Sequence, residues 1–272
     1  MEPIQMPSRE IPADAPILLL DSGIGGLSVL RSLRAMLPDA PIIYAADIAG
    51  LPYGEKTEAE VAARVSGLLG RMAERWRPRL ICIACNTAST IALSMVRDVL
   101  ETPIVGTVPA IKPASQLTQT GVIGLLGTAA TIRQGYVDRL EASFAQDKRL
   151  IRHAAPRLVE AAEARLRGQD VPSGIIADAV RGLRAQEGGD RIDTLVLACT
   201  HFPFLAAELQ ATLGPDIRLI DGADGIARRI VSLTSGQSFA RSGPDFATFT
   251  GSIPDGSDIA FAPFGITDLR LF

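Results

Sequence analysis

Cysteine is scarce in this chain of 272 residues. Three thiols are too few, and odd in number, for a disulfide framework, so a reducing compartment is expected and each thiol calls for its own explanation. Aromatic residues make up only 5%. No run of eighteen apolar residues occurs, which excludes a membrane-spanning helix and assigns the mean hydropathy of +0.23 to buried strands. Excess charge of one sign is missing too: 27 basic against 30 acidic side chains give a net charge of −3 without like-charge runs. A nucleic-acid partner recognised through a basic face is thereby excluded. The amino terminus carries Glu2, Arg9, Glu10 and Asp14 but no apolar core, so residues 1–15 read as a flexible extension and not as a targeting segment. A cytoplasmic location is expected, with no membrane partner.

What is present is alternation. Short apolar runs at Ile17–Leu20, Ile42–Ala46, Leu80–Ala84, Ile104–Thr107, Val122–Leu126, Thr194–Ala198 and Arg218–Ile220 have the look of buried parallel strands. Between two of them, Val61, Val65, Leu68, Leu69, Met72 and Trp76 recur at helical spacing. Thr57 and Glu60 form a capping-box pair ahead of that run, and Pro78 ends it. The pattern predicts an α/β fold with right-handed crossovers, whose ligands bind beyond the carboxyl ends of the strands.

Two of the strands carry similar endings. Leu80-Ile-Cys-Ile-Ala-Cys-Asn-Thr87 and Thr194-Leu-Val-Leu-Ala-Cys-Thr-His201 each deliver Ala-Cys followed by polar residues, the cysteines at 85 and 199. Upstream lie Leu18-Leu-Leu-Asp-Ser22 and Ile123-Gly-Leu-Leu-Gly-Thr128. This suggests two related α/β halves across a cleft. The segment beyond Ser235 is rich in Gly, Pro, Ser and Asp; Phe246–Thr250 is expected as an edge strand, and no chemistry is evident there.

Cys85 and Cys199 stand where a strand stops and a helix begins, a position whose backbone amides and neighbouring polar groups are expected to lower a thiol pKa. Cys82 reads as core packing. Cys82-x-x-Cys85 also admits a redox or zinc reading, the latter completed by Cys199 and His201, but an offset of three in an extended strand points the two thiols to opposite faces. No metal site is therefore assigned. Asp21-Ser-Gly-Ile-Gly-Gly26 lacks the third glycine of a dinucleotide fingerprint, where Ser28 stands, and the lysine of a P-loop. Its glycines are expected to let backbone approach a small ligand, with a plain tight turn as the alternative.

Taken together, Asp21-Ser-Gly-Ile-Gly-Gly-Leu27, Leu51-Pro-Tyr-Gly-Glu-Lys56, Ala84-Cys-Asn-Thr-Ala-Ser89 and Ala198-Cys-Thr-His-Phe-Pro203 resemble, in order and spacing, the signature segments of the glutamate racemase family within the cofactor-independent aspartate/glutamate racemases. Gly127-Thr-Ala-Ala-Thr-Ile-Arg-Gln-Gly-Tyr136 is similar to that family's threonine-bearing loop. The resemblance implies two similar α/β domains with mainly parallel sheets, related by a pseudo-two-fold axis, and an active site in the cleft between them. The first domain would span residues 16–109 plus about 223–272, and the second 110–222.

By the same resemblance the reaction is inversion of L- and D-glutamate without pyridoxal phosphate or metal, supplying D-glutamate for peptidoglycan. Cys85 and Cys199 would be the two bases, assisted by Asp21 and His201. Asp21, Ser22, Pro52, Tyr53, Gly54, Asn86, Thr87, Thr128, Thr131, Thr200 and His201 would line the substrate site. His153-Ala-Ala-Pro156 has Ala155 where the family often has cysteine. Anchoring on Pro156 puts the family's acidic residue at Glu163, with Glu160 the off-register competitor. A homodimer is expected. Racemisation of aspartate or a hydantoin is the nearest alternative activity; decarboxylation fits less well, since both thiols are present. Binding to DNA gyrase, an accessory property in the family, has no support in this sequence.

Overall fold

The computed structural model describes residues 11–171 and 174–272. Of the expected amino-terminal extension, residues 1–10 lie outside that range. Its end is tied down: the buried Arg79 guanidinium donates to the carbonyls of Pro12, Ala13 and Ala15 and stacks on Phe239.

Among the described residues, ten strands form two sheets. The first sheet takes β1 (Ile17–Asp21), β2 (Ile42–Ala46), β3 (Leu80–Ile83) and β4 (Ile104–Gly106); the second takes β5 (Val122–Gly127), β6 (Arg149–Ala154), β7 (Thr194–Ala198) and β8 (Arg218–Ile220). The chain then returns to the first sheet with β9 (Phe246–Phe249) and β10 (Asp268–Leu271). Strand order is β10-β9-β2-β1-β3-β4 in one and β6-β5-β7-β8 in the other, and every described pairing is parallel. The run β2-β1-β3-β4 of the first sheet therefore repeats the order β6-β5-β7-β8 of the second. In this correspondence β1 matches β5 and β3 matches β7, so Cys85 and Cys199 end equivalent strands.

The expected helix forms as Glu58–Trp76, with Thr57 and Glu60 making both hydrogen bonds of a capping box and Arg77 closing it in the left-handed region. One strand expectation needs correction, and two strands, β6 and β10, are not among those expected. Phe246–Phe249 is an inner strand, because β10 pairs outside it. β6 has no apolar run to announce it: Arg149 and Arg152 interrupt it, and as the edge of its sheet it needs only one pairing face.

Strand parity separates the thiols of β3 as expected. Cys82 packs with Leu19, Tyr44 and Val105 on one face of the first sheet, and Cys85 packs with Tyr53, Ala88 and Ile83 on the other. Among the described residues no helix is long and apolar enough to cross a membrane.

Candidate active site

Carboxyl ends of strands from both sheets converge. Asp21 ends β1, and Cys85 follows β3 as the extended capping residue of the helix Asn86–Val99. Opposite them Thr128 follows β5 and caps the short helix Ala129–Ile132, accepting from the Thr131 amide at 3.2 Å. Cys199 follows β7. All of these residues are buried, as are Ser22, Tyr53, Asn86, Thr87, Thr131, Thr200, His201 and Glu163. Pro52 and Gly54 are half-buried.

Each thiol has its own polar neighbours. Cys85 Sγ lies 3.8 Å from Ser22 Oγ, beside the Asp21 carboxylate, which accepts the Ser22 and Gly26 amides at 2.7 Å each. Cys199 Sγ lies 3.7 Å from His201 Nδ1, whose Nε2 sits 2.7 Å from Glu163 Oε1. Glu163 in turn accepts the Ile24 amide from the first sheet's turn at 2.8 Å and pairs with Arg167. Glu163, and not the exposed Glu160, thus meets the histidine. The helical offset of three places the two glutamates on adjoining flanks of the helix Arg157–Leu166, and only one flank faces the cleft.

Electrostatics differ between the two sides. Burial pushes the Cys85 thiol well above its ordinary value, and the Asp21 carboxylate adds to this; the Ala88 amide and Ser22 hydroxyl pull weakly the other way. The expected lowering at this helix start is overturned for Cys85, because desolvation inside the closed site outweighs the amide contribution. Asp21 is itself raised by burial, against the opposing pull of His201 and the two amides. For His201, burial favours the neutral ring, but contacts with Cys199 and Glu163 outweigh it and hold the imidazole pKa well above the ordinary range. Glu163 is lowered despite its burial, chiefly by the hydrogen bond to His201.

The glycine turn is closely packed by side chains from the second sheet's side. A Cβ at Gly25 would lie 2.4 Å from His201 Nδ1, and one at Gly23 would lie 2.2 Å from Glu163 Oε1. The bare backbone therefore admits side chains of the opposing half. Further bonds cross the cleft. Ser28 Oγ donates to the Thr200 carbonyl at 2.9 Å, and the Thr87, Thr128 and Thr131 hydroxyls lie 2.9 to 3.1 Å from one another. A cavity of about 10 Å³ lies against Ser28, Asn86, Cys199 and Thr200.

With that geometry in place, the sequence profile of Asp/Glu/hydantoin racemases matches residues 27–230. The chain belongs to that racemase family. The racemase is 61% identical over 260 residues to a glutamate racemase of Sphingopyxis alaskensis, covering 94% of this chain and 97% of the relative. Among solved structures it resembles the Escherichia coli glutamate racemase in complex with L-glutamate and the activator UDP-MurNAc-ala: TM-score 0.85, 37% identity, 95% of this chain and 98% of that one. A Bacillus anthracis glutamate racemase isoform follows with TM-score 0.82 and 27% identity, over 96% and 97% of the two chains.

Three further residues join the candidate site. Ser28 and Arg167 touch it only through tertiary contacts, although Arg167 stands one helical turn beyond Glu163. Asp47, just past the carboxyl end of β2, was open to the same strand-end argument that found Asp21.

Proposed function

We propose that the chain interconverts L-glutamate and D-glutamate by two-base proton transfer, with Cys85 on one face of the α-carbon and Cys199 on the other. The observation that carries this reading is the pair of buried thiols at the ends of equivalent strands in two sheets that have a four-strand order in common. One thiolate takes the α-proton, its lone pair forming the new S–H bond while the C–H electrons remain on carbon. The opposite thiol then gives its proton to the other face, so the stereocentre inverts and the two sulfurs exchange protonation states. The reverse reaction starts from the exchanged state.

The resting asymmetry supports this division. Cys85 is held as the thiol by burial and by Asp21, whereas Cys199 has an imidazole at 3.7 Å able to take its proton, backed by Glu163. Ser22, Asn86, Thr87 and Thr200 hold the substrate carboxylates and steady the carbanionic transition state through amides and hydroxyls. Thr128, Thr131 and the Pro52–Gly54 segment close the far wall. This chemistry calls on neither pyridoxal phosphate nor metal. Glutamate is favoured over aspartate because the similar chains named above are glutamate racemases. We further infer a cytoplasmic homodimer that supplies D-glutamate for peptidoglycan; the activator bound by the Escherichia coli relative supports the link.

Exchange in D2O tests the scheme. Wild type should incorporate deuterium at the α-carbon as optical rotation decays, with glutamate turned over in preference to aspartate. Cys85→Ala and Cys199→Ala should each abolish racemisation, and full activity in either variant would sink the two-base scheme.

A further inference from the structure

Asp47 is fully buried and has no part in the two-base scheme, yet its carboxylate is saturated with donors. Oδ2 accepts the Tyr53 hydroxyl at 2.6 Å and Arg64 Nε; Oδ1 accepts Arg64 Nη2 at 2.7 Å and the Thr250 hydroxyl. These donors come from three places: the turn after β2, the helix Glu58–Trp76, and the end of β9. Burial alone would raise the carboxyl, but the bonds to Arg64, Thr250 and Tyr53 outweigh it and keep the group ionised. The surrounding loop is shaped for the cluster as well. A Cβ at Gly50 would fall 2.3 Å from Asp47 Oδ2 and 2.6 Å from Arg64 Nε.

The cluster anchors the segment that leads from β2 to the helix Glu58–Trp76. Tyr53–Glu55 is a single 3₁₀ turn outside both sheets. Its tyrosine packs beside Cys85 and Ala88, and a Cβ at Gly54 would meet Thr128 Cβ at 2.8 Å. The turn is therefore wedged between the Cys85 side of the cleft and the opposing threonine cluster, with the Tyr53 hydroxyl as its tether to the first sheet.

We propose that Asp47, clamped by Arg64 and Thr250, is a positioning residue that fixes the Tyr53–Gly54 lip against Cys85 and Thr128 and so sets substrate affinity. The inference rests on the two-base reading for the place of the substrate. It also gives the carboxy-terminal segment, which shows no chemistry in its sequence, a part in the site through Thr250.

The test compares wild type, Asp47→Asn, Tyr53→Phe and the double variant. Racemisation is followed from both enantiomers of glutamate, and iodoacetamide labelling of Cys85 is mapped by mass spectrometry without substrate. Loss of a hydrogen bond to a charged group predicts that each single variant raises KM by about tenfold or more, while kcat stays within about threefold. The double variant should be no worse than Asp47→Asn alone, since both changes cut one tether. Cys85 labelling should quicken by about tenfold as the lip loosens, with Cys82 on the opposite sheet face unlabelled. Additive effects in the double variant, or unchanged KM and unchanged Cys85 labelling, would overturn the proposal. Tyr53→Phe keeps the ring and its packing, so it decides the matter if Asp47→Asn does not fold. Faster labelling in variants of a chain that does not racemise glutamate would overturn the substrate reading and support the tether.

Discussion

Single atoms decide whether this cleft can close. Gly25 faces the His201 ring so closely that a methyl group there would displace it. Gly25→Ala should therefore cost roughly a hundredfold in kcat, the loss expected when a reacting group is shifted by about an ångström. Steady-state kinetics checks this, and unchanged kcat would mean that His201 has room to spare. The His201–Glu163 pair adds a pH signature. His201 is raised above its ordinary 6.5, so its contribution to stability is complete below that pH and is lost as pH rises through the folded value. Glu163 is depressed below its ordinary 4.5, so its contribution is complete above that pH and is lost as pH falls through the folded value. Both contributions coincide between those two values. Glu163→Gln should lower stability most in that window, by roughly 2–3 kcal/mol, because a buried partner is left imperfectly satisfied. Thermal denaturation from pH 4 to pH 8 measures it, and a variant profile parallel to wild type would contradict the linkage.

Elements show which features the linear pattern could announce. The helix Glu58–Trp76 is legible to the residue because its cap and its apolar spacing are both local. The same helix contains Gly67, exposed and with open space where a Cβ would stand. Gly67→Ala should stabilise the fold by about 1 kcal/mol from backbone entropy alone, in contrast to the loss of kcat at Gly25. Chemical denaturation of the two variants side by side tests that contrast; a destabilised Gly67→Ala would reverse it. β7 and β2 were equally plain, being continuous apolar runs buried on both faces. β6 was not, since an edge strand can carry Arg149 in solvent and Arg152 half-buried against Asp138 and Glu141. For β9 the reason lies elsewhere: its rank in the sheet is set by β10, 22 residues downstream in the pairing register, and no local pattern encodes which strand lies outermost. The thiols, Asp21 and the capping Thr128 were readable because strand-end chemistry is written in consecutive residues. Ser28 and the Asp47 cluster depend on which distant chain segment comes to rest against them.

For the molecule as a whole, the repeated strand order places the two thiol-bearing ends face to face, and the remaining question is how a substrate gets in. Every proposed catalytic group is buried, so glutamate reaches them only if the halves part. Parting breaks an identifiable set of bonds: Ile24 amide to Glu163, Ser28 to the Thr200 carbonyl, Thr87 to Thr128 and Thr131, and Gln134 to Glu58 at the rim. None of these lies inside either sheet. Opening should therefore occur as a sub-global event that leaves β1 intact while freeing the Ile24 amide, which is bonded only across the cleft in this arrangement. Hydrogen exchange separates the two motions. Without glutamate, a peptide containing Ile24 should exchange faster than one covering Leu18–Leu20, and saturating glutamate should slow the first far more than the second. If both peptides exchange at one rate and respond equally, access requires unfolding of the first sheet as a whole, and the image of two rigid halves hinged about a cleft fails.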